Sequence, residues 1–214
     1  MDERKKKING YVKNILAVYK VATEQEIADG LNWYSDARKI CVRLAKKYKV
    51  DVKTVCYVMA ALSPNNRWAN NIIDTERVLL QYSTGELRSK YTAYHNGDKD
   101  ALKGVACTYT ANTVKAYLIL VTGNLEHLKG LKVNNFATNI FTPENDNVTV
   151  DYHAISIAVG FRHTIDTVES KNFKGKNYQE FVDAYTLASK KVGIAPNQMQ
   201  SITWTAWRNL GKIK

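Results

Sequence analysis

The chain has 214 residues, 45% of them hydrophobic and 24% charged, which supports one large domain or two small lobes and excludes global disorder. It carries 31 lysines and arginines against 20 aspartates and glutamates, a formal charge of +11 that favours a polyanionic partner, nucleic acid before an anionic membrane. The three cysteines, Cys41, Cys56 and Cys107, are odd in number and form no C-x-x-C. A disulfide framework, a zinc knuckle and a four-cysteine iron–sulfur cluster are therefore disfavoured, and buried free thiols are expected.

Helical spacing of Ile8, Val12, Ile15, Leu16 and Tyr19 predicts a helix over residues 8–21. Residues 34–48 place Ala37, Ile40, Cys41, Leu44, Ala45 and Tyr48 on one face with basic residues opposite, and Ser35 reads as an N-cap. An apolar helix over 52–62 should stop before Pro64, because the residue before proline avoids the helical region. A further helix is predicted over 68–82. Residues 83–106, with Gly85, Gly97 and Gly104, read as a polar connection holding at most one short helix. A buried helix over 110–122 follows, then two short helices over 124–129 and 132–141 joined around Gly130-Leu131, and a loop over 142–148. Helices over 150–161, 177–192 and 198–210 complete the chain. No segment alternates with a period of two, so the expected fold class is all-α. No apolar run reaches the ~18 residues of a membrane span. The start Asp2-Glu3-Arg4-Lys5-Lys6-Lys7 precedes no apolar signal region, so a cytoplasmic location and no membrane partner are expected.

The stretch over residues 128–154 carries the most chemistry. Backbone N–H groups at the start of the helix after Gly130 can grip a phosphate without side-chain help, and Lys129 and Lys132 flank that point. Asp151 follows the extended run Val148-Thr149-Val150 and stands at a helix start, where a carboxylate serves equally as an ordinary N-cap. Trp33, Tyr34, Trp68, Tyr152, Trp204 and Trp207 supply flat faces for a base pocket, although each also suits core packing. His153 reads as structural. His95, His127 and His163 are scattered, so no metal site and no cofactor are expected. Arg208, Lys212 and Lys214 read as a solvated basic end in reach of phosphate. Ser63 has no base nearby in sequence, which leaves a serine hydrolase without support.

These residues resemble the helix-hairpin-helix DNA glycosylase superfamily, the endonuclease III-like proteins. Leu128-Lys129-Gly130-Leu131-Lys132 stands for the family's L-x-G-[VIL]-G hairpin, with Lys132 in place of the second glycine, and Val150-Asp151-Tyr152-His153 stands for its V-D-x-H element. Residues 59–71 (MAALSPNNRWANN) resemble the family's wedge segment, with Asn65 at the wedge and Asn71 at a later asparagine, and residues 107–122 resemble the helix before the hairpin. The ordered resemblance covers roughly residues 50–165, and its wording is similar to bacteriophage-encoded members, some of them associated with thymine hypermodification.

The resemblance implies a two-lobed helical fold with a cleft between lobes, one lobe about 31–145 with the hairpin in 124–141, the other about 1–30 plus 146–214. It implies DNA as partner, a monomer, and base flipping. Asp151 falls on the catalytic aspartate, and Asn134 stands where bifunctional members carry a nucleophilic lysine. Lys132, two residues earlier, is the remaining amine candidate. Asn65, Asn66, Arg67, Lys129, Gly130 and Lys132 become the implied DNA contacts.

Cleavage of an N-glycosidic bond builds positive charge on deoxyribose, and a fixed carboxylate beside the sugar stabilises it. The expected activity is therefore a monofunctional DNA glycosylase acting on a modified or damaged base. The alternatives are a phage base-hypermodification transferase or pyrophosphorylase on the same fold, and a non-catalytic DNA-binding protein.

Overall fold

The computed structural model describes residues 2–162 and 176–210. His163, Lys212 and Lys214 lie outside the described residues. The fold is all-α, and no strand occurs among the described residues. The helices are α1 (Glu3–Val21), α2 (Glu24–Tyr48), α3 (Val52–Leu62), α4 (Trp68–Ser83), α5 (Glu86–His95), α6 (Thr110–Thr122), α7 (Leu131–Phe141), α8 (Tyr152–Val159), α9 (Lys176–Val192) and α10 (Pro196–Leu210), with a 3-10 turn at Leu125–His127. None of these helices is long and apolar enough to cross a membrane.

The described chain divides into two compact units, one of residues 1–34 with 142–214 and one of residues 35–141. In the first, α1 buries Ile8, Val12, Ile15 and Val18 along one stripe against α8, α9 and α10. Arg4 pairs with Asp183 and Lys7 with Glu180 at the edge of that packing. In the second, α3 is apolar nearly all round and buries Val55, Cys56, Val58, Met59, Ala60, Ala61 and Leu62. It packs against α4, α6 and α7. Asp51 caps its start by accepting from Thr54 N at 3.0 Å, and it ends before Pro64.

Three local expectations change. α2 begins eleven residues before Ser35, which is therefore interior to a helix and not a cap. Its start is a capping box: Glu26 N donates to Thr23 Oγ1 at 3.2 Å, and Thr23 N donates to Glu26 Oε2 at 2.9 Å. The helix expected over 124–129 shrinks to the 3-10 turn, because Asn124 Oδ1 takes Glu126 N in a local turn at 2.9 Å. Cys41 and Cys56 are buried as expected, whereas Cys107 is exposed in the loop before α6.

Gly30 shows why α2 tolerates a glycine in its interior. A Cβ there would lie 2.4 Å from Ile202 Cα and 2.7 Å from Ile202 N, so α10 crosses at backbone distance. Ser201 Oγ seals the crossing by donating to Gly30 O at 2.6 Å. Exposed Gly10 in α1 has open space around the same position. Gly10→Ala should therefore stabilise by about 0.5–1 kcal/mol through helix propensity. Gly30→Ala should destabilise by about 1–3 kcal/mol through overpacking against backbone. Urea midpoints of the two variants should move in opposite directions, and a stabilised Gly30→Ala would refute the close crossing.

Candidate functional site

Asp151 is held at the end of a braced extended segment. Val148 and Val150 are buried, and the Tyr178 phenol bridges them, donating to Val148 O at 3.0 Å and accepting from Val150 N at 3.3 Å. Between them Thr149 Oγ1 meets the Tyr34 hydroxyl at 3.2 Å, and that hydroxyl donates to Gln200 Oε1 at 2.9 Å. Tyr34, expected as a pocket wall, is buried and acts as a brace. Past the aspartate, the Tyr185 hydroxyl donates to Ala154 O at 3.1 Å. Burial pushes the Tyr185 pKa up, so this donor keeps its proton.

With backbone on both sides fixed, Asp151 Oδ1 accepts from Ala154 N at 2.8 Å and caps α8. Asp151 Oδ2 has no hydrogen-bond partner among the described residues. The half-buried carboxylate is thus both an N-cap and a source of one free, oriented oxygen.

Aromatic rings gather on the same unit. His153 lies 3.9 Å from the Tyr152 ring, centroid to centroid, and 6.2 Å edge-on from Trp204. Trp33 lies 6.1 Å from Trp204 and 4.9 Å from Tyr34. Trp207 packs partly against the core, and its indole N–H is shielded from solvent without an acceptor among the described residues. Arg208 stacks over Trp204 at 4.5 Å and Arg162 over Trp207 at 4.6 Å. Burial pushes the Tyr152 pKa up and the Asp151 charge adds to that, while Arg208 and Arg162 oppose it. His153 is pushed down by burial, against the pull of Asp151, and the two arginines push the same way as burial.

In the second unit, Gly130 stands at the N-cap of α7, where its carbonyl accepts from Asn134 N at 2.9 Å. Glycine offers no capping side chain to the first-turn N–H groups of Leu131, Lys132 and Val133, and uncapped groups of this kind can take water or an anion. Gly130 has no positive φ; a Cβ there would meet Val133 Cγ2 at 3.2 Å, so its role is close packing. The Asn134 amide donates to Leu128 O and ties the first turn of α7 to the preceding loop. Lys129 is exposed and Lys132 half-buried, and neither has an ion-pair partner among the described residues.

The loop between α3 and α4 is fixed by one buried carboxylate. Asp74, fully buried on α4, accepts from Asn66 Nδ2 at 2.9 Å, Cys107 N at 2.7 Å and Arg77 Nη1 at 3.1 Å. Asn66 therefore points inward to Asp74, and its amide is engaged in the scaffold. Thr108 Oγ1 donates to Pro64 O at 2.6 Å and ties the loop to the start of α6. Asn65 stands exposed at the loop tip with φ +56°, its amide 3.4 Å from the hydroxyl of exposed Tyr109. Arg67 is exposed beside it, and Trp68 is half-buried in the first turn of α4. Asn71 is 1% exposed, and neither atom of its amide has a hydrogen-bond partner among the described residues.

Asp151, Tyr152, Trp33, Tyr34 and Trp207 thus share one unit, and Asn65, Asn66, Arg67, Trp68, Lys129, Gly130, Lys132 and Asn134 share the other. Arg162 and its stacking on Trp207 escaped the sequence reading. The spacing of Trp204, Trp207 and Arg208 was a visible signal, since residues three and four apart share a helix face. Among the described residues no cluster of three or more histidine, cysteine or acidic side chains is placed to hold a metal ion.

Over residues 1–210 the sequence matches the model of DUF7178, described as a family of unknown function. The chain belongs to that family. No curated protein and no solved structure matches it.

The unfolded chain takes up a proton on His153 before the folded one does, because burial lowers the folded value. His153 therefore leaves the fold unpenalised above the ordinary histidine value of 6.5 and costs stability as pH falls below it. A proton NMR titration should place the His153 midpoint below 6.5, and Arg208→Ala should move it upward. A midpoint at or above 6.5 would contradict the burial seen here.

Proposed function

We propose that this protein is a DNA glycosylase-like enzyme that releases a base flipped out of DNA, with Asp151 stabilising the sugar cation. The observation that carries the reading is the free Oδ2 of a carboxylate whose other oxygen and flanking backbone are fixed. A preorganised negative oxygen needs no rearrangement as charge develops in the transition state. The resemblance to the helix-hairpin-helix glycosylases supports it, as does the exposed first turn of α7 beside Lys129 and Lys132. On this reading the two compact units correspond to the two lobes of that superfamily.

The bond broken is C1′–N, whose electron pair leaves with the base. Water adds its oxygen to C1′, keeps one hydrogen as the new hydroxyl and gives up one proton to Asp151 or solvent, and the departing base takes one proton from the same source, so the sum is hydrolysis. Asn134 carries an amide already engaged with Leu128 O, so water is assigned as the nucleophile and the product is an abasic site without strand cleavage.

Asp151→Asn is a clean test because asparagine caps helices as well as aspartate. The variant should fold, bind DNA with equal or higher affinity, and lose base release, read by mass spectrometry of bases freed from natural and modified DNAs. Near-normal release would overturn the mechanism. An altered base mass in an intact strand would assign a base modifier instead, and binding without chemistry a DNA-binding module.

The charge gives a second test. With about five phosphates contacted, the log–log dependence of duplex affinity on salt should have a slope near −4 to −5. Lys129→Ala and Lys132→Ala should each make it shallower by about one. A flat salt response would remove the phosphate-tracking surface from the reading.

A further inference from the structure

Two guanidinium groups of the first unit lie over indole rings and have no counterion among the described residues. Arg208 Cζ lies over the ring of Trp204, four residues earlier on α10, at 4.5 Å from its centroid. Arg162 lies on Trp207 at 4.6 Å, and its Nη2 donates to Trp207 O at 2.7 Å. Both are exposed, and neither forms an ion pair or any further polar contact among the described residues. This contrasts with Arg4 and Arg77, which are matched with Asp183 and Asp74. An exposed arginine without a partner ordinarily samples many rotamers. Stacking on an indole, and for Arg162 a backbone bond, fixes the plane of the fork in advance.

The surroundings specify what the forks await. Arg208 connects through Trp204 to the edge of His153 and thence to the Tyr152 ring, next to Asp151. Both arginine charges act on Tyr152 and His153, which places them around the same spot. Asp151 forms no ion pair with either. Two cations acting on the rings that follow Asp151 would oppose a developing sugar cation there unless an anion neutralised them. Planar guanidinium forks match phosphate oxygens, and the adjoining rings suit a base.

We propose that Arg162 and Arg208 form a phosphate clamp for the DNA strand that carries the target nucleotide, seating its phosphodiester against α10. The strand as source of the phosphate rests on the base-release reading; the clamp itself rests on the stacked, unpaired arginines. Seating the phosphate cancels the cationic field beside Asp151, so strand binding also completes the electrostatics of the site.

The test measures binding of a single-stranded deoxypentanucleotide by tryptophan fluorescence, with its methylphosphonate analogue and inorganic pyrophosphate as separate arms. No base release is needed, so failure of the clamp and failure of the glycosylase reading are distinguishable. Arg162→Gln and Arg208→Gln should each weaken pentanucleotide binding about tenfold, as expected for loss of a charge-assisted bond. Each should make the salt slope shallower by about 0.7. Thermal melting should be unchanged, since both side chains are exposed. Arg→Lys variants should recover only part of the affinity, because the charge returns without the planar fork. The uncharged analogue should bind weakly and be indifferent to both substitutions. Unchanged affinity in the double variant would overturn the clamp, as would equal losses on the uncharged analogue. Pyrophosphate binding as tight as the pentanucleotide, and lost in the same variants, would overturn the strand assignment in favour of a free phosphate ligand.

Discussion

The candidate chemistry depends on one phenol. Tyr178 bridges Val148 O and Val150 N, giving an extended segment with no neighbouring strand the pairing a sheet would have supplied. Buried backbone polar groups need such partners, and an unpaired pair here would cost on the order of 1–3 kcal/mol for each group. The bridge does more than satisfy them. It fixes the residue before Asp151, while Tyr185 fixes the carbonyl three residues beyond it, so the carboxylate departs from a backbone that cannot easily rotate. The two tyrosines come from α9, and that helix is itself seated by α1. The orientation of one oxygen is therefore a consequence of helix packing far away in the sequence.

Capping and catalysis are often set against each other when an aspartate begins a helix. Here the cap uses Oδ1, and the catalytic role proposed for Asp151 would use Oδ2. Oδ1 satisfies an otherwise orphaned N–H of α8, and this bond sets the rotamer that presents Oδ2. The cap is thus the positioning device for the free oxygen. Burial acts on the neighbours in the complementary direction. It favours the protonated phenols of Tyr152 and Tyr185 and the neutral imidazole of His153, and among the described residues the charges acting on Tyr152 and His153 are those of Asp151, Arg162 and Arg208.

Elements governed by local chemistry were legible in the sequence. α3, α6 and the start of α4 fall at their expected positions because Pro64, Gly123 and the apolar runs set them within a few residues. α2 starts eleven residues before the expected cap at Ser35, although the capping box Thr23-Glu24-Gln25-Glu26 and the helical spacing of Ile27, Leu31 and Tyr34 both mark the earlier start. The tail of the site was less legible for a different reason. The partners of Asp151 and its segment, Tyr34, Tyr178 and Gln200, lie 27 to 117 residues away, counting 178 − 151 and 151 − 34, and no local pattern announces them. Asn66 looked equivalent to Asn65 in sequence. Only the buried Asp74, eight residues on, separates an inward amide from an outward one.

Local departures from ordinary backbone and polar rules do not all carry function, and the structure separates them. Lys49 has φ +54°, but Val50 N donates to Ala45 O at 3.1 Å, so the residue simply closes α2 in a left-handed C-terminal turn. Asn65 has φ +56° within Ser63-Pro64-Asn65-Asn66, and Asn66 N donates to Ser63 O at 3.2 Å. Proline followed by a positive-φ asparagine is the pattern of a type II turn, so turn chemistry accounts for its backbone. What remains of interest at Asn65 is its exposure at a tip anchored by Asp74 and Thr108. Asp151 Oδ2 and the two stacked arginines have no such structural account. Their hydrogen-bonding capacity, unspent among the described residues, lies at exposed or half-buried positions supported by packed side chains, a combination that a packed fold does not need and a ligand does.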